Sequence, residues 1–160
     1  MARVLGIDFG EKRLGLALSD ETRTIARPLG VYERRDANSD LAYLAGLVGR
    51  EHIVEIVLGL PINMDGSLGP KAHQVLEFKR VLEEKLKLPV HTFDERLTTA
   101  EAERVLLQAG MSRHKRKKSK DALAAVLILQ GYLSLERGTL GECQFRAEST
   151  SNPWGKRSLR

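Results

Sequence analysis

The chain has 160 residues, one cysteine, and 26 Lys plus Arg against 21 Asp plus Glu, for a net charge of +5 and a pI near 9.5. One domain of this length buries a sizeable core unaided, and the lone Cys143 with four scattered histidines excludes an internal disulfide and a zinc-finger pattern. No apolar run approaches bilayer length, so a cytoplasmic protein with no membrane role is expected, and the basic balance favours a polyanionic partner.

Residues 3–7 (RVLGI), 13–19 (RLGLALS) and 24–32 (TIARPLGVY) read as three strands joined by short turns, an antiparallel meander. Leu14, Leu16 and Leu18 alternate with smaller residues, and Pro28 removes a ladder donor, which sends the third strand to an edge. From Ser39, read as an N-cap, Leu41, Leu44, Ala45 and Val48 fall at helical spacing. Residues 53–61 (IVEIVLGLP) are apolar around Glu55, as in a central strand covered on both faces with the glutamate at its solvent-facing start.

The loop INMDGSLGP, 62–70, precedes a helix whose Val75, Phe78, Leu82 and Leu86 share a face. A strand, PVHTFDE, follows. Thr98 and Glu101 then form a capping box ahead of Ala102, Val105, Leu106 and Ala109, with Gly110 closing that helix. After SRHKRKKSK comes a last apolar helix, DALAAVLILQGYLSL. Residues 1–137 read as one domain, and 138–160, polar and basic without a period, as a mobile tail.

This order predicts a five-stranded mixed α/β sheet, the meander plus two parallel strands, flanked by helices. Ligands of such sheets collect beyond the carboxyl ends of the strands, where Asp8 and Glu95 fall. Asp121 opens the last helix, and if that helix starts beside the strand tips, three carboxylates converge. Such oxygen clusters take hard divalent cations, Mg2+ or Mn2+, and a two-metal site of this kind cleaves phosphodiesters. Each acid alone has an ordinary reading: Asp8 accepts turn amides near Gly10, Glu95 pairs with Arg96 or Arg13, and Asp121 favours a helix N-terminus. Strand period does not decide between Asp94 and Glu95. The run Arg113, Lys115, Arg116, Lys117, Lys118 and Lys120 stands directly before Asp121, where it can hold phosphates, and Arg96 beside Glu95 is a further candidate.

These segments together resemble the YqgF (RuvX) family. GIDFGEKRLGLALSD is similar to its opening hairpin, LGLPINMDGSLGP to its central loop, DERLTTAEAE to its second acidic segment, and SRHKRKKSKDALAAVLILQGYL to its last, over about residues 2–135. The resemblance implies an RNase H-like fold and a metal-dependent nuclease maturing the 5′ end of 16S ribosomal RNA. Its catalytic and metal-binding acids match Asp8, Glu95 and Asp121, with Lys117 and Lys118 in the preceding basic segment. Lys120 stands where an apolar residue is usual, and the chain runs past the usual end of the domain. The expected partner is structured nucleic acid, above all precursor rRNA or ribosomal assembly intermediates. Two alternatives are a Holliday junction resolvase and a non-catalytic nucleic-acid-binding factor. DFGEKRLG also resembles the first phosphate loop of actin-like sugar kinases, which need two such domains.

Overall fold

The computed structural model describes residues 2–98 and 122–136. Strands β1 (Arg3–Phe9), β2 (Arg13–Ser19), β3 (Ala26–Glu33), β4 (Ile53–Leu60) and β5 (Val90–Asp94) form one sheet in the order β3-β2-β1-β4-β5. The first three pair antiparallel, whereas β4 lies parallel to both β1 and β5. Helices α1 (Ala37–Glu51) and α2 (Pro70–Leu86) supply the crossovers between the parallel strands. Pro28 lies on the edge strand β3, where a missing N–H costs no ladder bond on the open side.

Period-two alternation divides the core. Leu5, Ile7 and Phe9 of β1 pack with Leu14, Leu16 and Leu18 of β2 under α1 and α2. Val4, Ala17, Val57 and Phe93 pack on the other face under a helix formed by residues 122–136. That helix sits very close to the sheet: a Cβ on Gly6 of β1 would come 2.7 Å from Leu129 Cβ, so only glycine fits there. On α2, Val75, Phe78 and Leu82 are buried and Leu86 packs partly, as their spacing predicts.

Two local expectations are corrected. The N-cap of α1 is Asp36, which accepts the Ser39 N–H at 2.8 Å, so the helix starts before Ser39. Its buried stripe therefore runs through Asp40, Leu44 and Leu47, and Ala45 is exposed. Asp40 is buried yet satisfied, accepting from Arg34 Nε and the Arg35 N–H, both at 3.0 Å. Burial pushes its carboxyl up, but these bonds and the Tyr32 hydroxyl outweigh that, and the net shift is downward.

Glu55 is not at a solvent-facing start. It is 8% exposed and lies on the face covered by the 122–136 helix. Its carboxylate accepts from Tyr132 Oη at 2.8 Å, lies 2.7 Å from His91 Nε2 and pairs with Arg23. Burial first, then this carboxylate, holds the Tyr132 phenol well above its ordinary range. Removing one member of a buried charge pair strands the rest. Glu55→Ala is expected to cost about 3 kcal/mol in urea unfolding, the low end for such pairs because Arg23 and His91 stay partly hydrated. A loss under about 0.5 kcal/mol, the scale of an ordinary surface substitution, would show that the cluster contributes little.

Among the described residues no helix is long and apolar enough to cross a membrane. Of the expected capping-box helix only Thr98 is described; its remainder to Gly110 and the tail 138–160 lie outside the described residues.

Candidate active site

Asp8 is the next-to-last residue of β1, opposite Gly15 of β2. Its side chain lies on the face of the 122–136 helix, because Ile7 and Phe9 face the other core. Glu95 begins a single 3₁₀ turn, Glu95–Leu97, immediately after β5. Since β1, β4 and β5 run parallel, their carboxyl ends meet at one edge of the sheet. Asp8 and Glu95, 87 positions apart in the chain, thereby line one cavity of about 140 Å³ with Thr98, Ala124, Leu127 and Ile128.

The surroundings of Asp94 and Glu95 differ. Asp94 accepts the Arg96 N–H at 2.9 Å as cap of the 3₁₀ turn and pairs with the Arg96 guanidinium at 2.8 Å. That pairing, more than anything else, holds the Asp94 carboxyl below its ordinary range. Glu95 is released from Arg96 and turns into the cavity. Its Oε2 lies so near β4 that a Cβ on Gly59 would be 2.6 Å away. Burial raises the Glu95 carboxyl, the charge of Asp8 raises it further, and Lys71 offsets part of both.

Lys71, in the first turn of α2, is a cation close enough to Glu95 to offset part of its shift, and the sequence reading passed over it. Its only signal in the sequence is its place just after the loop that follows β4. Arg96, read as a phosphate-binding candidate, is a strut: besides Asp94 it donates from Nη1 to the Asn63 carbonyl at 3.3 Å, tying the 62–69 loop to the end of β5. Arg96 remains 40% exposed, which leaves its outer edge accessible.

Among the described residues no three His, Cys, Asp or Glu side chains form a cluster. Asp121, Arg113, Lys115, Arg116, Lys117, Lys118 and Lys120 lie outside the described residues. The neighbouring Ala124, Leu127 and Ile128 nevertheless bring the 122–136 helix to the cavity wall, just after Asp121 in the chain. Two like charges held together on all-oxygen donors, in a space of roughly five water volumes, suit a hard divalent cation. They suit zinc poorly, since among the described residues no nitrogen or sulfur side-chain donor lines the cavity.

The sequence model of the RuvX family, described as Holliday junction resolvase, matches residues 2–135. The chain belongs to the RuvX family. A protein of Syntrophomonas wolfei named "Putative pre-16S rRNA nuclease" is 48% identical over 140 residues, 88% of this chain and 98% of its own length. One of the same name from Moorella thermoacetica is 51% identical over 131 residues, 82% of this chain and 94% of its own. RuvC of T. thermophilus, solved in complex with a Holliday junction substrate, superposes with a TM-score of 0.53 at 18% identity, covering 86% of this chain and 97% of that one. At that identity the likeness is one of fold, and it makes this RuvX sheet RNase H-like.

Proposed function

We propose that this RuvX protein is a divalent-cation-dependent nuclease of the cytoplasm that processes the 5′ end of precursor 16S rRNA. The observation that carries the reading is the convergence of Asp8 and Glu95 on one half-buried cavity at the carboxyl edge of the sheet. The names of relatives 48% and 51% identical to it support the substrate. In this reading Asp8, Glu95 and Asp121 are the catalytic acids and hold Mg2+ or Mn2+. The chemistry such cations supply is activation of the attacking water and stabilisation of the leaving oxygen.

The chain's own part is positional. Asp8 is fixed by ladder bonds at the end of β1, and Glu95 by the rigid turn that Asp94 caps. Leu127 and Ile128 line the cavity beside the two acids, and such apolar walls strengthen the attraction of both carboxylates for a divalent cation. Lys71 and the basic run Arg113, Lys115, Arg116, Lys117, Lys118 and Lys120 hold the flanking phosphates, with Arg96 at the rim. Residues 1–137 constitute the nuclease domain, and 138–160 a basic extension that adds diffuse attraction to RNA.

The deciding experiment challenges the full chain, with Mg2+ or Mn2+, in parallel with precursor 16S fragments and four-way DNA junctions. Cleavage of the rRNA fragment at its 5′ side is expected. The family description favours a second reading, Holliday junction resolution, and symmetric nicking of the junction with intact RNA would establish that one. Binding of both without cleavage of either would leave a nucleic-acid-binding factor. Lys117→Ala with Lys118→Ala is expected to weaken RNA and DNA binding alike and to flatten log affinity against log salt by about 0.7 to 0.9 per lost contact. An unchanged slope would remove these lysines from the interface.

A further inference from the structure

Met64 is 92% exposed, the most exposed of the large hydrophobic side chains among the described residues. A lone apolar residue on a surface needs no explanation, but this one has company and an unusual mounting. Leu68 of the same loop is 40% exposed and Leu97, in the turn that carries Glu95, is 52% exposed. The Arg96 bond to the Asn63 carbonyl ties this loop, which follows β4, to the turn after β5, at the carboxyl edge of the sheet where Asp8 and Glu95 lie.

The loop that presents Met64 is heavily cross-braced. Asn63 N–H donates to the Ser67 carbonyl at 3.0 Å, and Gly66 N–H to the Asn63 carbonyl at 2.8 Å. Asp65 accepts both the N–H and the hydroxyl of Ser67, at 2.9 and 2.6 Å, and Asn63 Nδ2 donates to the same hydroxyl at 2.9 Å. Ile62 and Leu68 close the base as a β-bridge. Such bracing holds a thioether out in water, where it gains no burial. It lowers the entropy cost of binding a flat apolar surface there.

We propose that Met64, with Leu68 and Leu97 nearby, is a stacking platform for one unpaired nucleobase of the substrate strand, next to the cavity that Asp8 and Glu95 line. The inference rests on the nucleic-acid reading above. Charge favours a nucleotide over an apolar protein segment, because Arg96, partly exposed, is tied to this loop, and Lys71, three residues beyond Leu68 in the chain, is close enough to Glu95 to offset part of its shift; both suit a nucleotide's phosphates. Thioether and leucine side chains stack on or wedge beside base faces, and every base has such a face, so the contact selects unpaired over paired strands without reading sequence. The platform therefore directs the nuclease to single-stranded positions beside helices.

The test is binding in EDTA, where cleavage does not intervene. The full chain is titrated against an RNA hairpin with a 5′ single-stranded extension carrying 2-aminopurine at the first unpaired position, and against a blunt duplex of equal length. Met64→Ala is expected to weaken hairpin binding roughly tenfold, the scale of one lost base stack, and to abolish the 2-aminopurine response. Its duplex affinity should be unchanged, and Met64→Phe should restore both signals. Met64 is exposed enough for both variants to fold. Equal losses on hairpin and duplex, or no loss on either, would overturn the platform while leaving the nuclease reading intact. Failure of the wild-type chain to bind either RNA would overturn both. A Met64→Ala defect confined to binding another protein would reassign the patch as a protein contact and so reject the proposal.

Discussion

Asp8→Asn is expected to abolish cation-dependent cleavage, by roughly a thousandfold, the upper range for losing one group that stabilises developing charge. Asn preserves size and a hydrogen-bonding oxygen but removes the charge that a divalent cation needs. The same change should stabilise the fold in EDTA at neutral pH. The Glu95 carboxyl titrates above its ordinary 4.5 because of burial and then the Asp8 charge. Its folded form therefore binds a proton more tightly than the unfolded chain does. Stability from this group is fully present below the unfolded pKa and is lost as pH rises through the higher folded pKa. Removing the Asp8 charge lowers the folded value and reduces that loss. The difference in unfolding free energy, Asp8→Asn minus wild type, should thus grow as pH rises from about 4.5. Using the difference matters, because Asp36, Asp40 and Asp94 titrate low and give the whole protein the opposite trend in acid. Adding Mg2+ at pH 7 should reverse the order of stability, since only the wild type keeps both charges. A variant that cleaves at full rate, or is less stable than wild type in EDTA, would remove Asp8 from the proposed role.

The parts of this site that the sequence made legible were those written locally. Alternation in RLGLALS, the apolar run before Gly59 and the helical spacing after Pro70 each reflect burial on one or both faces, and burial imposes a period. From the order of those elements the parallel alignment of β1, β4 and β5 followed, and with it the meeting of Asp8 and Glu95. What stayed hidden depended on partners distant in the chain. Glu55 looked like a strand-end residue because nothing beside it shows that Arg23, His91 and Tyr132 will converge on it. Asp94 and Glu95 were indistinguishable because strand period breaks at the 3₁₀ turn, where Arg96 claims Asp94 and rotates its neighbour toward the cavity. Asp36 displaced Ser39 as a cap because both are good N-cap residues, and only the bond from Ser39 N–H settles which is outside the helix.

Gly59→Ala tests the positioning of Glu95 with a single methyl group. Gly59 is in β4 between the two acid-bearing strands, and its missing side chain leaves the space that Glu95 and the 122–136 helix fill. An added Cβ would collide with Ile128 Cδ1 and come 2.6 Å from Glu95 Oε2. Both are ends of side chains, so the strand need not break. The methyl displaces them, and overpacking of this kind costs about 1 to 3 kcal/mol. The carboxylate has the freer movement and should yield first, leaving the geometry it shares with Asp8. A displacement of about 1 Å at a reacting group costs on the order of a hundredfold in rate. The variant is expected to fold, to unfold at lower urea with an unchanged m value, and to bind RNA in EDTA as tightly as wild type, because the phosphate grips lie elsewhere. Cleavage should fall about a hundredfold, with kcat rather than KM carrying the loss. Gly59→Ala cleaving at the wild-type rate would mean that Glu95 can move without consequence, and its assignment among the catalytic acids would fail even if that of Asp8 stood.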